Sequence, residues 1–335
     1  MEEGTMLNTN NPELKFALDI VRQASLLVKH VQAEMISSAL TKNDRSPVTV
    51  ADFASQAIVA RALRETFPQD PMVGEEDSTS LKNPQEAETL ARVTKFVATL
   101  TADATKERVC EWIDHGAAET ASRFWTLDPI DGTKGFLRGE QYAVALALII
   151  DGEVQIGVLG CPNLTDGFEQ EIGGPGSLIA AVRGQGTWTT PLDREQSFHQ
   201  LHVSDRGDPT QARFLRSFEA GHTNVNQLDL VGQEMGVRVE PVRLDSQAKY
   251  AILAAGAGDL IFRLISPSRP DYKEKIWDQA AGSLIAEEAG GRVTDLEGNP
   301  LDFTQGRKLL HNRGVLASNS LLHESALAAL KHVGA

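Results

Sequence analysis

The chain has 335 residues, with 32 Lys and Arg against 46 Asp and Glu, for a formal net charge of −14. At 41% hydrophobic and 23% charged residues it is a folded globular protein, not a disordered one, long enough for one large domain or two ordinary ones. The acidic balance excludes nonspecific binding to nucleic acid polymers or anionic membranes, which needs a basic surface, and the two cysteines, Cys110 and Cys161, exclude a disulfide framework or a Cys-rich zinc site.

In chain order, the opening MEEGTMLNTNNPELKF has no basic or apolar leader region and is acidic where transit peptides are Arg-rich. Leu14, Leu18, Val21, Leu27, Val28 and Val31 recur at three- and four-residue steps and predict an amphipathic helix from Pro12 to Leu40. A second helix is expected from about Val50 to Thr66, stopped by Pro68, and a third over 84–98; residues 99–123 are polar and carry no clear pattern. From Phe124 the texture changes. Tyr142–Ile150 and Glu153–Leu159 read as strands joined by Asp151-Gly152, a dipeptide suited to a tight hairpin turn. Short strands follow at 169–172, 178–182 and 186–189, with Gly173-Gly174-Pro175-Gly176 as a hairpin loop. The longest apolar run, Ala143 to Ile150, is too short to cross a bilayer.

After about residue 200, strands near 213–218, 237–243, 259–264 and 314–317 alternate with helices near 223–235, 246–256, 276–289 and 320–331. The expected fold is an α+β N-terminal half followed by an α/β C-terminal half. Pro191-Leu192-Asp193-Arg194 breaks the texture, which divides the chain into residues 1–195 and 196–335. A cytoplasmic monomer without membrane contact is expected.

Several acids sit where a solvated face would not put them. Trp125-Thr126-Leu127-Asp128-Pro129-Ile130-Asp131-Gly132-Thr133 ends an apolar strand with two carboxylates separated by a stiffened turn. Like charges held that close repel, and a cation between them removes the repulsion. Oxygen-only ligands point to Mg²⁺, and a Gly-Thr turn ahead of a helix offers amides to an anion. On the residues alone this loop reads either so or as an ordinary Asp-rich turn. Pro71-Met72-Val73-Gly74-Glu75-Glu76-Asp77 is a short strand ending in acids, or a solvent-facing strand end. Asp278, in Lys275-Ile276-Trp277-Asp278-Gln279-Ala280-Ala281, opens an Ala/Leu-rich helix, where the helix dipole alone favours an acid; the same holds for Asp52. Lys249 lies three residues after Ser246 on one face of a helix start, suited to an anion or simply solvated. No Walker loop, complete Gly-x-Gly-x-x-Gly, His-Glu-x-x-His or Gly-x-Ser-x-Gly is present, and His199, His202, His311 and His323 show no metal-ligand spacing.

Taken together, Asp-Pro-Ile-Asp-Gly-Thr at 128–133, Gly-Glu-Glu at 74–76 and Trp-Asp-Gln-Ala-Ala-Gly at 277–282 followed by Glu-Ala-Gly-Gly resemble the lithium-sensitive, magnesium-dependent phosphatases. That superfamily includes inositol monophosphatase and fructose-1,6-bisphosphatase, and the resemblance spans nearly the whole chain. Within it the chain is most similar to the 3′(2′),5′-bisphosphate nucleotidases. This rests on Ser46-Pro47-Val48-Thr49-Val50-Ala51-Asp52-Phe53, Thr133-Lys134-Gly135-Phe136-Leu137-Arg138, Leu244-Asp245-Ser246-Gln247-Ala248-Lys249-Tyr250, and the 52 residues between Glu75 and Asp128.

The resemblance implies a layered α/β/α/β/α architecture of the sugar-phosphatase kind. It implies a hydrolase of sulfur metabolism that removes the 3′-phosphate of adenosine 3′,5′-bisphosphate, and of 3′-phosphoadenylyl sulfate, with two to three Mg²⁺ per site. Glu75, Asp128, Asp131, Asp278 and the carbonyl of Ile130 would be the metal ligands. Asp52 and Thr133 would position and deprotonate the attacking water, against the helix-dipole reading of Asp52. Gly132, Thr133, Ser246, Lys249, Arg263 and Asp278 would bind the substrate, and His222 would lie near the base. The family pattern there is more often Glu-Lys-Ala/Gly-His, whereas this chain has Ala220 and no Lys. Two other readings compete: an inositol polyphosphate 1-phosphatase, which shares the metal motifs, and a nucleotide-binding sensor that has lost catalysis.

Overall fold

The computed structural model describes residues 7–36, 46–194, 196–218 and 225–335. Helices α1 (Pro12–Ile36) and α2 (Ser46–Thr66) come first, then strand β1 (Met72–Gly74) and helices α3 (Ala87–Val97) and α4 (Lys106–Asp114). Positions 37–40, expected to end the first helix, lie outside the described residues. Helix α4 occupies part of the stretch that showed no pattern: Thr105 caps it, accepting from the Arg108 amide, and Val109, Cys110, Trp112 and Ile113 bury one short face.

Strand β2 (Arg123–Asp131) leads into the six-residue helix α5 (Thr133–Arg138), then β3 (Ala143–Ile150), β4 (Glu153–Cys161), β5 (Leu164–Thr165), β6 (Glu169–Gln170), β7 (Ser177–Val182), β8 (Gly186–Pro191) and β9 (His199–Leu201). The β3–β4 turn is Asp151-Gly152, with φ of 50° and 82°, as the hairpin reading requires. These strands form a seven-stranded sheet in the order β1-β2-β3-β4-β7-β8-β9; β1 runs parallel to β2 and the other pairs are antiparallel.

The second part contains β10 (Phe214–Arg216), α6 (Val225–Glu234), β11 (Val242–Arg243), α7 (Ala248–Ala254), β12 (Leu260–Arg263), α8 (Ala280–Glu288), β13 (Arg292–Thr294), β14 (Val315–Ser318) and α9 (His323–Val333). Its five-stranded sheet has the order β11-β10-β12-β14-β13, parallel from β11 to β12 and antiparallel beyond. The strand expected over 237–243 is only Val242–Arg243, and β13 follows the Gly290-Gly291 stop without a sequence expectation. The helix expected from 276 starts at Ala280, which leaves Asp278 in the preceding turn.

Period-two alternation builds the layers. Val144, Leu146 and Leu148 face α1 and α2, while Ala143, Ala145 and Ala147 face α7 and α8. Each buried Leu on the first face contributes about 2 kcal/mol of transfer free energy. The small residues on the other face let α8 approach closely: a Cβ on Gly157 would lie 2.8 Å from the Ala281 carbonyl oxygen. The far side of α7 and α8 packs on Ile261, Val315 and Ala317 of the second sheet, whose other face meets α6 and α9 through Phe214, Phe262 and Leu316. The order of layers is therefore α/β/α/β/α. Dividing the chain into two units is our proposal; by strand pairing the first sheet runs to Leu201, past the expected boundary at 195.

Candidate active site

Strand β2 delivers its acids to the sheet's end. The ladder to β3 is interrupted between Asp128 and Asp131, where Pro129 has no amide to donate. The Pro129 carbonyl instead accepts from Ser55 Oγ at 3.2 Å. Gly132 then takes φ 89°, a left-handed turn into α5, and its missing side chain makes room for Ser246, whose Cβ would lie 2.8 Å from a Gly132 Cβ.

A cavity of about 270 Å³ opens there between the two sheets. Its lining includes Glu75, Asp128, Ile130, Asp131, Gly132 and Thr133 from the first sheet and its loops, with Ser246, Lys249, Arg263 and Asp278 from the second. The expected site residues of both halves thus share one space. Asp52 does not line it; it is buried on the second turn of α2. His222 lies outside the described residues. Ser217, Asp245, Arg269 and Tyr272 also line the cavity without having been expected. Arg269 and Tyr272 belong to the loop after β12, with the guanidinium 5.0 Å from the Tyr272 ring centroid. A strand end followed by a Pro-rich loop bearing a cation and an aromatic residue was the available signal.

The expectation that Ser246 and Lys249 share a helix face needs correction. α7 starts at Ala248, and Ser246 precedes it at φ 70°, where its Oγ accepts from the Ala248 amide at 3.2 Å. Lys249 is buried, and its Nζ donates to Ser217 Oγ at 3.1 Å. Burial, then the neighbouring Arg263 charge, lowers its pKa to about 8. Arg263 pairs with the buried Glu274 at 2.9 Å and lies 3.9 Å from Asp278 Oδ2.

The acids share one electrostatic problem. Burial, reinforced by Glu75, Asp131 and Asp278, raises the Asp128 carboxyl well above the ordinary range. Burial raises Asp278 too, against the pull of Arg263, and Asp52 rises by burial and then by Glu76 and Glu75. Glu75 is pushed up to about 7 by desolvation, Glu76 and Asp131. As placed, the acids do not close on one point: among the described residues no three Asp, Glu, His or Cys side chains form a ready ion-binding group. Their chemistry nevertheless fits a hard cation. The donors are oxygens only, Glu75, Asp131 and Asp278 raise the proton affinity of Asp128, and Asp128 Oδ1 is buried with no hydrogen-bond partner.

The chain thus combines a five-layer α/β/α/β/α fold with a carboxylate-lined cavity between its sheets. The chain belongs to the inositol monophosphatase family, whose model matches residues 9–335. This family is generally Mg²⁺-dependent. The chain is 42% identical over 336 residues to a 3′(2′),5′-bisphosphate nucleotidase of Schizosaccharomyces pombe, covering 95% of this chain and 94% of that one. It is 40% identical over 338 residues to a protein of the same name from Oryza sativa, covering 95% and 93%. Among solved structures, Mycobacterium tuberculosis SuhB superposes with a TM-score of 0.62 at 21% identity, covering 96% of each chain. CysQ from Bacteroides thetaiotaomicron gives 0.60 at 18%, covering 92% of this chain and 97% of that one. These last two likenesses show the fold. No helix among the described residues is long and apolar enough to cross a membrane.

Proposed function

We propose that the chain is a magnesium-dependent 3′(2′),5′-bisphosphate nucleotidase that hydrolyses the 3′-phosphate of adenosine 3′,5′-bisphosphate to give AMP and phosphate, and acts likewise on 3′-phosphoadenylyl sulfate. The observation that carries this reading is one cavity uniting Glu75, Asp128, Asp131 and Asp278 with the buried Lys249 and with Arg263. A substrate with two anionic groups needs both: oxygen donors for cations at the reacting phosphate, and fixed cations for the other group. The shared name of relatives at about 40% identity supports the nucleotide as substrate.

Hydrolysis of a phosphate monoester is slow because a dianion repels the incoming nucleophile. Glu75, Asp128, Asp131, Asp278 and the Ile130 carbonyl are assigned to hold two to three Mg²⁺, which when bound supply charge neutralisation and acidify water. Thr133 is assigned to orient the attacking water, and Asp52, which does not itself line the cavity, to take its proton through Thr133. Burial beside Glu76 and Glu75 raises the proton affinity of Asp52, as a general base near neutral pH requires. The amides at Gly132 and Thr133 face the reacting phosphate. Ser246, Lys249 and Arg263 hold the other phosphate and the nucleotide, and Asp278 borders the sugar. His222 is placed near the base by family likeness alone. Water supplies the oxygen that joins phosphorus, and the 3′-oxygen leaves with a proton, so no phospho-enzyme is formed. We place the enzyme in the cytoplasm as a monomer acting on small molecules only.

The test is kcat/KM with Mg²⁺ for adenosine 3′,5′-bisphosphate against inositol 1,4-bisphosphate. Preference for the nucleotide is expected. Preference for the inositol phosphate would make the chain a polyphosphate 1-phosphatase, and no phosphate release from either would make it a sensor.

A further inference from the structure

Neither Glu75 nor Asp278 stands on a regular element. β1 stops at Gly74, and α8 begins only at Ala280. Other side chains must therefore fix both segments. Gln56 lies on α2 one helical turn after Asp52 and is fully buried. Its Nε2 donates to the Glu76 carbonyl at 2.5 Å and the Ile113 carbonyl at 2.9 Å, and its Oε1 accepts from the Glu76 amide at 3.0 Å. Gly74 and Gly116 leave space for it: a Cβ on either would lie 2.5 Å from a Gln56 side-chain atom. The residue after Glu75 is thereby tied to α2.

The residue before Glu75 is tied from the other half of the chain. Arg307 Nη2 donates to the Gly74 carbonyl at 2.5 Å and Nη1 to the Ala118 carbonyl at 3.3 Å. The same guanidinium lies 4.9 Å from the ring centroid of Trp277, the residue before Asp278. The Arg307 carbonyl accepts from the Ile276 amide at 3.3 Å, and the backbones of Lys275 and Lys308 pair in an isolated antiparallel β-bridge. One residue therefore touches the immediate neighbours of two carboxylates, one just after β1 and one in the turn before α8.

We infer that Arg307, backed by Gln56, is a positioning residue that sets the separation of Glu75 and Asp278 and thereby the affinity of the site for divalent cation. This rests on the assignment of Glu75 and Asp278 as metal ligands. Arg307 touches neither carboxylate; it acts through Gly74 and Trp277. Groups that hydrogen-bond metal ligands directly change metal affinity by about 10- to 100-fold when removed, and a group acting one residue away falls at the lower end of that range.

The experiment measures Mn²⁺ binding to the full-length protein, without substrate, from the electron paramagnetic resonance signal of free Mn²⁺. It compares the unaltered protein with Glu75→Gln, Arg307→Met and Arg307→Lys, with melting temperatures alongside. Arg307→Met keeps an apolar stem on Trp277 but loses the donors; we expect Mn²⁺ affinity to fall about tenfold with little change in melting temperature. Arg307→Lys, which keeps the charge and one donor nitrogen in place of two, should lie between. If Glu75→Gln weakens binding while both Arg307 variants stay within about twofold of the unaltered protein, Arg307 is only a structural tie and the inference fails. If Glu75→Gln binds like the unaltered protein, the ligand assignment fails and takes the inference with it. Should Arg307→Met not fold, Arg307→Lys decides on the same criterion.

Discussion

The backbone amide of Gln247 donates to Asp131 Oδ2 at 2.6 Å, so the turn ahead of α7 holds the last residue of β2 across the cleft. That amide is aimed by Ser246, which sits at φ 70°, a conformation unfavourable for any side chain and worst for a β-branched one. Ser246→Gly keeps the turn and loses the side chain with its hydroxyl. Ser246→Val also opposes the turn by about 1–2 kcal/mol, so its kcat/KM on adenosine 3′,5′-bisphosphate should be about tenfold below that of Ser246→Gly. Equal kinetics for the two would show that the backbone turn is not what matters.

The helix layer between the sheets depends on one missing methyl. A Cβ on Gly282 of α8 would lie 2.2 Å from Tyr250 Cδ2, and Tyr250 is buried with its hydroxyl donating to Gln279 Oε1 at 2.6 Å. Gly282→Ala should cost about 2 kcal/mol of stability by overpacking, visible as a lower urea midpoint; an unchanged midpoint contradicts this packing.

Most of the long elements were legible because their patterns are local. The apolar steps of α1, the alternation of β3 and β4, and Asp151-Gly152 at positive φ each follow from a few adjacent residues. Asp128 and Asp131 stood out as acids ending an apolar strand. What escaped was set by distant partners. α4 is short and packs on α2 and α3, which the fold brings near, and β13 exists through pairing with β14. Asp278 reads as a helix start, yet the turn before Ala280 is braced by residues 307–309, some thirty positions later. Gln56, an ordinary polar residue on α2, gives no local sign that two glycines make room for it.

His323 joins the packing of α9 to pH. It is fully buried between Thr294 Oγ1 at 3.0 Å and Ser318 Oγ at 2.8 Å, and burial lowers its pKa from 6.5 to about 4. The unfolded chain therefore takes up the proton first. Stability is complete above pH 6.5 and is lost as pH falls towards 4, by about 2 kcal/mol between pH 7 and pH 5. Urea unfolding at both pH values should show this loss in the unaltered protein and a smaller one in His323→Gln; equal losses would exclude His323 as the source.

Cation binding should itself depend on pH. Glu75, pushed up to about 7, must lose its proton to serve as a ligand, so Mg²⁺ affinity should rise from pH 6 to pH 8 with proton release. Because the value is raised from 4.5, the metal-free fold has its full stability below pH 4.5 and loses part of it as pH rises from there through about 7. Saturating Mg²⁺ should remove that loss. Calorimetric titration in two buffers of different ionisation heat measures the protons released; identical heats would argue against Glu75 as a ligand.

The most direct measurement is Mg²⁺-dependent phosphate release from adenosine 3′,5′-bisphosphate by the unaltered protein and by Asp128→Ala, whose side chain is buried at the end of β2 with an unpartnered oxygen. The account predicts rapid release that requires Mg²⁺ in the first, and neither turnover nor Mg²⁺ dependence in the second. Near-normal, Mg²⁺-dependent turnover by a folded Asp128→Ala protein would contradict it.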